Sequence, residues 1–583
     1  MSIDLQKQLR HRLWLMIFIF LLFFIGILTR LFYLQIVKYS FFKQKTVAQQ
    51  QKSIKIPAKR GNILDRQGKL LATSIDTVSL YAAPKHIADK EALAEKIAPL
   101  LNKKPYEIRN KIDNDLYFVW LERKLDPKVA QEIRKMDLPG IGFIDEQKRV
   151  YPHKAFAAHV LGFVGIDDIG LGGLEQSFDK ELGGEPGELV VEKTPSGEEI
   201  YSSLRTLKPP AQGHQLQLTL DEFVQFTSEK ELEKAIKQYQ AKGGSIIVTI
   251  PYTGEILALA CYPDFDPNLY FQAADKVRVN TTLQTVYEPG STFKVITLAG
   301  AWNEGLIDES SKIINGRIFE VGGKKINDIH AEKTVNLYAP QSPIDILVYS
   351  LNIGTAKIGL MLGKEKLYHY SKEFGFGQPT GIELSGESGG IVRAPAEWAK
   401  ADEGIIPFGQ GIAVTPLQLI TAINVIGNEG LLLKPTLIKK IYDKKGKIIQ
   451  QPLIPKRRGR VITKKTAAAI LEIMKESVDR GTGIAARIKG YSVAGKTGTA
   501  EKADPVKGGY IPNEYIASFI GLVPASDPKL SILVILDTPK KGIYGGTVAA
   551  PVFRNVAEAT LRYLNVPPDR EKVLATQALP DTR

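Results

Sequence analysis

The sequence predicts an α+β protein with an N-terminal transmembrane helix and more than one folded domain. Three observations lead to this prediction. The chain has 583 residues, which corresponds to about three or four domains of ordinary size. An uncharged apolar stretch lies near the N-terminus, and segments with strand patterns and with helix patterns both occur downstream of it. Apolar residues make up 44% of the chain, which is enough for a sizeable core.

The anchor is the first element in the chain. Residues 13–29 carry no charge, and apolar character resumes after Arg30 and continues to Val37. With the Arg30 side chain snorkelling, this stretch is long enough to span a bilayer. Basic residues at positions 7, 10 and 12 predict that a tail at 1–12 stays in the cytoplasm. A cleaved signal peptide is the alternative, but the stretch is longer than a typical h-region and lacks a clear small-x-small site.

The rest of the chain is therefore expected outside the cytoplasm, with the anchor at 13–37. A polar, basic stalk follows at 38–59, and the composition changes again near 210–235, where we place a domain boundary. Within the first domain, residues 85–134 have a largely helical pattern. The second domain contains the clearest strand signals, which form a predicted hairpin and two later strands: 244–250, 255–260, 515–522 and 530–536.

Charge and cysteine content exclude several classes of function. The net charge of +14 raises the question of nucleic-acid binding, but basic residues are spread along the chain and no nucleic-acid motif is present. An anionic membrane or wall close to the protein explains the charge more simply. Cys261 is the single cysteine, so the chain can form neither an internal disulfide nor a zinc site built from several cysteines.

The segment Ser291-Thr292-Phe293-Lys294 is a candidate nucleophile with its own base. Residues i and i+3 share one face of a helix, and Pro289-Gly290 before the serine is typical of a helix start. An oxyanion formed there would be stabilised by free backbone N–H groups. Three other matches to the spacing lack this setting: Ser40…Lys43, Ser177…Lys180 and Ser526…Lys529. Alone, the pattern is more often a capping serine beside a surface lysine.

Two further motifs follow in order. Ser350-Leu351-Asn352 places a hydroxyl and an amide two residues apart, so both can face one cleft. Lys496-Thr497-Gly498-Thr499 combines a lysine with hydroxyls on a predicted strand, an arrangement able to bind a carboxylate. Each motif alone has an ordinary explanation as a turn. The order of all three is what predicts an active site.

The three motifs together resemble the signature of penicillin-binding proteins and serine β-lactamases. Longer segments resemble class B penicillin-binding proteins of the cell-division (FtsI-like) type, and the resemblance extends from the anchor to about residue 565. Those segments are Tyr287–Lys294, Arg60–Arg66, Gly170–Glu175 and Tyr544–Pro551.

The resemblance implies a fold and an activity. It implies an elongated non-catalytic pedestal domain at 60–235, a transpeptidase domain at 236–565 and a tail at 566–583. The transpeptidase domain would have an antiparallel sheet with helices packed on both sides and a helical subdomain. The activity would be D,D-transpeptidation of peptidoglycan stem peptides, in which β-lactams acylate the same serine. No metal or organic cofactor is implied.

The resemblance also assigns roles to residues. Ser291 would attack the penultimate D-Ala carbonyl, and Lys294 would act as the base. Ser350 would relay a proton together with Lys496. Asn352, Thr497, Gly498 and Thr499 would bind substrate, and the N–H groups of Ser291 and Thr499 would form the oxyanion hole. The implied location is the cytoplasmic (inner) membrane with a single pass, next to a SEDS-type, FtsW-like glycan polymerase and other division proteins.

Several alternatives stay open on the sequence alone. A cell-elongation transpeptidase of the same class is the nearest. A β-lactamase or β-lactam sensor shares the three motifs, but no E-x-x-L-N sequence lies between Asn352 and Lys496 to activate deacylating water. A division scaffold without catalytic activity is a third alternative, and the intact Ser291 and both lysines argue against it.

Overall fold

The computed structural model describes residues 3–114, 116, 118–193, 199–328, 331–332, 334–451, 456–504 and 507–570. Its α-helices are α1 (Ile3–Phe32), α2 (Tyr39–Gln50), α3 (Lys90–Ile97), α4 (Pro105–Ile112), α5 (Pro127–Lys135), α6 (Ala158–Leu161), α7 (Gly173–Ser177), α8 (Asp179–Gly183), α9 (Glu222–Tyr239), α10 (Asp275–Arg278), α11 (Thr281–Gln284), α12 (Lys294–Asn303), α13 (Pro343–Val348), α14 (Asn352–Leu362), α15 (Lys364–Glu373), α16 (Asp402–Ile405), α17 (Pro416–Gly427), α18 (Lys464–Asp479), α19 (Gly545–Val548) and α20 (Ala550–Tyr563).

The strands are β1 (Gln51–Ile56), β2 (Ile63–Leu64), β3 (Leu70–Ala82), β4 (Val119–Leu125), β5 (Ile141–Val150), β6 (Gly187–Lys193), β7 (Glu199–Lys208), β8 (Gln215–Leu218), β9 (Gly243–Thr249), β10 (Ile256–Tyr262), β11 (Ile313–Ile314), β12 (Ile318–Val321), β13 (Lys324–Asn327), β14 (Pro340–Gln341), β15 (Leu431–Leu433), β16 (Ile438–Tyr442), β17 (Ile448–Gln450), β18 (Arg457–Arg460), β19 (Ala494–Ala503), β20 (Tyr510–Val523) and β21 (Leu530–Asp537).

One compact unit combines residues 1–59 with 184–212. Helix α1 continues into a π-helical turn, and among the described residues the span Gln6–Val37 is the one helix long and apolar enough to cross a membrane. The predicted stalk contains helix α2 and strand β1, and β1 pairs with β6 and β6 with β7 in an antiparallel sheet.

The second unit combines residues 60–183 with 213–583. Its first part contains the sheet β17-β16-β8-β2-β3-β4, with β5 paired to the long strand β3. One face of β3 and β4 is covered by α3, α4 and α5, and the shared core includes Leu80, Leu121 and Ile133. Residues 85–134 were expected to be largely helical, but the structure also contains strand β4 there.

A buried ionic network stabilises this part of the chain. Glu175 is fully buried, and its carboxylate accepts from Arg60 Nε and from Arg149 Nε, each at 2.6 Å. Arg60 also donates to Asp179 Oδ1 at 2.7 Å, and Arg149 to the Gly61 carbonyl oxygen at 2.7 Å. Two of the segments that carry the family resemblance, around Arg60 and Glu175, therefore meet in the interior.

The five-stranded sheet of this unit is β10-β9-β21-β20-β19, and every neighbouring pair in it is antiparallel. Alternate residues of its strands enter two different cores. Ile246 and Val248 pack with α9 and α20, whereas Ile247 packs with α12, α17 and α18. Helices therefore cover both faces of the sheet, as predicted. The predicted hairpin and the later strands correspond to β9, β10, β20 and β21.

The predicted tail at 566–583 lies in part outside the described residues, which end at 570. Its first residues belong to the second unit and form hydrogen bonds and an ion pair within it. Asp569 accepts hydrogen bonds from Ser492 N at 2.7 Å and from Ser526 Oγ at 2.6 Å, and also from Ser492 Oγ. Arg570 forms an ion pair with Asp479 at the end of α18. Through Asp569, this short segment therefore links Ser492, just before β19, to Ser526, in the turn after β20.

We expect Asp569→Ala to lower the free energy of unfolding by about 1–3 kcal/mol, because the donors from Ser492 and Ser526 lose their acceptor. The midpoint of thermal unfolding measures this loss. Asp527→Ala is the matched control, since Asp527 lies in the same turn and pairs with the neighbouring Lys529 at the surface. Equal midpoints for the two variants would show that the Asp569 contacts contribute nothing.

Candidate active site

The three motifs are brought together by elements that pack on one helix. Helix α18 packs against β19, which carries Lys496, against α12, which begins at Lys294, and against α13, which ends just before Ser350. Residues far apart in the sequence thus line one cavity of about 670 Å³, among them Ser291, Ser350, Asn352, Thr497 and Thr499.

Ser291 lies in a 3₁₀ turn, Gly290–Thr292, directly before α12, and it is half-buried. The turn is tightly enclosed. Gly290 has φ +54°, and a Cβ there would lie 3.3 Å from Ala500 Cβ and from the Thr499 carbonyl oxygen. Gly290 N donates to the Gly409 carbonyl oxygen at 3.1 Å. The helix predicted to begin near Ser291 thus starts as a 3₁₀ turn, which keeps residues i and i+3 on one side.

Lys294 is fully buried. Its Nζ donates to the Ser350 carbonyl oxygen at 2.6 Å, to Asn352 Oδ1 at 2.8 Å and to Ser350 Oγ at 3.3 Å. In the described part of the chain no hydrogen bond joins it to Ser291 Oγ. Hydrogen bonds of a base to its nucleophile often tighten only when substrate binds. Burial lowers the pKa of Lys294 to about 7, and the charge of Asp328 acts against this lowering.

Lys496 is the second buried lysine that contacts Ser350. It is fully buried, and its Nζ donates to Ser350 Oγ and to the Thr497 carbonyl oxygen, each at 3.0 Å. Burial lowers the pKa of Lys496 well below its usual value, and the nearby Lys294 charge lowers it further. Ser350 Oγ is therefore within hydrogen-bonding distance of both amines, and φ at Ser350 is +58°, in the left-handed region. This strained backbone is consistent with a functional site.

Asn352 is the first residue of α14 and contacts a residue that the sequence reasoning missed. Asp328 is fully buried, and its carboxylate accepts from Asn352 N at 2.7 Å and from Ile353 N at 2.9 Å. An anion at a helix start satisfies otherwise unpaired N–H groups. Asp328 therefore positions Asn352. Its placement 24 residues upstream of Asn352 follows no local pattern, so no sequence signal reveals it.

The strand β19 supplies the opposite wall of the cavity. Thr497 Oγ1 and Thr482 Oγ1 share a hydrogen bond at 2.8 Å, and Gly545 N donates to Thr499 Oγ1 at 3.1 Å. Gly498 does not line the cavity. A Cβ there would overlap Ser518 Oγ and lie 3.0 Å from Thr292 Cγ2, so this glycine lets β19 pack against the Ser291 turn.

Other cavity residues were not singled out from the sequence. Thr482 lies in the loop after α18, and Tyr544 and Gly546 belong to a segment noted above for its family resemblance. Three others form an apolar wall of the cavity: Phe408, Ile484 and Ala485. No short motif marks these apolar positions, and their place in the site depends on tertiary packing.

Comparison with known proteins identifies the family. The model for the penicillin-binding protein transpeptidase domain matches residues 244–558, and the model for the penicillin-binding protein dimerisation domain matches residues 55–218. The chain belongs to the penicillin-binding proteins. The predictions of a class B member and of a D,D-transpeptidase are thereby confirmed.

Several proteins resemble this penicillin-binding protein over most of its length. Stage V sporulation protein D of Bacillus subtilis is 34% identical over 98% of this chain and 89% of its own. Peptidoglycan D,D-transpeptidase FtsI of Escherichia coli K12 is 33% identical over 88% of this chain and 85% of its own. Penicillin-binding protein 3 of Mycobacterium tuberculosis, solved with aztreonam, has a TM-score of 0.70 and 26% identity, covering 88% of this chain and 98% of that one.

Proposed function

We propose that this penicillin-binding protein cross-links peptidoglycan stem peptides during septal wall synthesis, through an acyl-enzyme on Ser291. One observation carries the proposal. Ser350 Oγ lies between the buried amines of Lys294 and Lys496, at 3.3 and 3.0 Å, in the wall of the cavity that also contains Ser291. Buried lysines with lowered pKa values are the groups that can move protons near neutral pH.

In the acylation step Ser291 Oγ forms a bond to the carbonyl carbon of the penultimate D-Ala, and its proton passes to the neutral amine of Lys294. Backbone N–H groups of Ser291 and Thr499 stabilise the oxyanion. The C–N bond to the terminal D-Ala then breaks, and this amine leaves with a proton relayed through Ser350 and Lys496. Asn352 and Thr497 hold the peptide.

In the second step, an amine of a neighbouring stem peptide attacks the ester carbonyl. The bond from this carbon to Ser291 Oγ breaks, and the serine regains a proton. The product is a new amide cross-link, and no oxidant or metal takes part in either step. β-Lactams would acylate Ser291 in the same way, in keeping with the aztreonam complex of the mycobacterial relative.

The proposed setting is the cytoplasmic (inner) membrane, with α1 as the single-pass anchor and the catalytic domain outside the cytoplasm. The septal role and the contact of the pedestal at 60–235 with an FtsW-like polymerase rest on the family resemblance. A tagged full-length copy should accumulate at the septum. Accumulation along the sidewall would instead favour the elongation role.

We expect a fluorescent penicillin to label the full-length protein, and mass spectrometry of the digested protein to place the adduct on the peptide that contains Ser291. The bond should persist for minutes, because a transpeptidase releases penicillin slowly. An adduct on the peptides of Ser177 or Ser526 would refute the nucleophile assignment. Release within seconds would indicate a β-lactamase.

A further inference from the structure

Glu288 stands three residues before Ser291, and its two carboxylate oxygens bind two different segments of the chain. Oε1 accepts from Gly411 N at 2.8 Å, and Oε2 accepts from the Tyr510 hydroxyl at 2.9 Å. Burial raises the pKa of Glu288, and Glu501 acts in the same direction, whereas the two hydrogen bonds lower it. This carboxylate is thus partly desolvated and held in one orientation.

The first segment, 408–414, runs beside the Ser291 turn. Gly290 N donates to the Gly409 carbonyl oxygen at 3.1 Å, and Tyr287 and Val414 exchange backbone hydrogen bonds at 3.0 and 2.9 Å. A Cβ at Gly409 would overlap the Gly290 carbonyl oxygen. This segment brings two cavity-lining residues, Phe408 and Gln410, to the site, so the Glu288–Gly411 bond strengthens a contact that the backbone already makes.

The second segment is the outer end of the β19–β20 hairpin. Tyr510 opens β20 and pairs with Ala503 at the end of β19, beyond the substrate edge at Thr499. In the described part of the sheet β19 has a partner strand on one side alone. Glu501 and Ala503, near this end of the hairpin, are exposed. The Tyr510–Glu288 hydrogen bond therefore connects this hairpin end to the turn that holds the nucleophile.

The substrate carbonyl must fit between Ser291 and Thr499, whose N–H groups form the proposed oxyanion hole. At one end of this gap, Gly290 packs against Thr499 and Ala500. Beyond Ala500, β19 continues to Ala503, which pairs with Tyr510 of β20. Displacements of about 1 Å in such a geometry slow a reaction by about 100-fold. A hydrogen bond that holds the outer end of the β19–β20 hairpin to the Ser291 turn would therefore influence the rate of acylation.

We propose that Glu288 is a positioning residue for acylation, which sets the spacing between the Ser291 turn and the Thr499 edge of β19 by holding Gly411 and Tyr510 at once. This inference rests on the proposed acyl-enzyme at Ser291. It assigns Glu288 no proton transfer, since the hydrogen bonds described for its carboxylate go to Gly411 N and the Tyr510 hydroxyl rather than to Ser350 or either lysine. A role confined to fold stability would instead change unfolding and leave the rate of acylation unaltered.

The test uses the full-length protein in detergent and measures the dissociation constant of penicillin and the first-order rate of acylation separately. Tyr510→Phe removes only the hydrogen bond between the Tyr510 hydroxyl and Glu288. It should slow acylation about 3- to 10-fold, the size expected for one hydrogen bond. Glu288→Ala removes the hydrogen bonds to Gly411 and to Tyr510 and should slow acylation about 10- to 100-fold. Glu288→Gln can keep both contacts and should restore most of the rate.

Glu514→Ala is the matched control, because Glu514 also lies on β20 but binds Lys242 and Thr538. Its acylation rate should equal that of the wild type, and penicillin dissociation constants should change less than rates. An acylation rate of Tyr510→Phe equal to that of the wild type would overturn the inference. So would losses of acylation rate that follow the fall in the midpoint of thermal unfolding in every variant. Failure of the wild type itself to be acylated would refute the proposed function instead.

Discussion

Replacing Lys294 by alanine is expected to slow acylation of Ser291 about 1,000-fold, the usual contribution of a general base. The amine is buried beside Ser350 and Asn352, and burial lowers its pKa to about 7, so a large fraction is neutral at physiological pH. Lys294→Arg should be equally slow, because a guanidinium stays protonated. The rate of penicillin labelling measures both effects. Lys366→Ala, at a surface ion pair with Glu304, is the control and should label normally.

The pH dependence provides a second readout of the same prediction. A base acts only when it is unprotonated, so the acylation rate of the wild type should rise with pH to a midpoint near the Lys294 pKa and level off above it. Asp328 raises this pKa through its charge. Asp328→Asn should therefore move the midpoint to lower pH. A midpoint that does not move would argue that another group is the base.

Replacing Glu175 by alanine is expected to cost about 3–5 kcal/mol of folding free energy, because removing one partner of a buried ion pair leaves uncompensated charge. Here two guanidinium groups, those of Arg60 and Arg149, lose the same carboxylate, and these residues are 2% and 7% exposed. Tyr151, whose hydroxyl donates to Glu175 at 3.3 Å, loses its acceptor as well.

Thermal unfolding of the full-length protein, followed by circular dichroism, measures this loss. Glu132→Ala is the control, because Glu132 is exposed on α5 of the same domain and its removal should change stability by less than about 0.5 kcal/mol. A Glu175→Ala protein that unfolds at the wild-type temperature would mean that the network contributes no net stability. A neutral result is expected only where a whole buried ion pair is replaced by apolar groups of similar volume, because no uncompensated charge is then left behind.

The strands of the five-stranded sheet could be predicted because their apolar runs are long and bounded by turn residues. The hairpin of β9 and β10 is an example, with Pro251 to Gly254 between its strands. Strand β4 was missed because Glu122, Arg123 and Lys124 lie within it and obscure the alternation. Its pairing with β3 is also irregular, and Lys124 has φ +53°. Local pattern does not reveal such an interruption.

The motifs located the candidate site because their residue types and spacing are specific as a set. The sequence did not predict which of these side chains contact one another. The hydrogen bonds described for Lys294 go to Ser350 and Asn352, and this arrangement depends on how α12 and α14 pack. Asp328 carries no recognisable signal. Glu288 lies within the resembling segment Tyr287–Lys294, but its contacts with Gly411 and Tyr510 come from distant parts of the sequence and follow no local pattern.

The burial of both lysines in the candidate active site affects how strongly dissolved salt acts on them. Dissolved ions screen charges that are exposed to solvent, over about 8 Å at physiological ionic strength, but they act much less on charges enclosed by protein. Lys294 and Lys496 are both 0% exposed, whereas most other lysines and arginines of this basic chain lie at the surface. In the proposed mechanism, proton transfer through these two lysines would be little affected by external salinity, to which a catalytic domain on the proposed outer side of the membrane would be exposed.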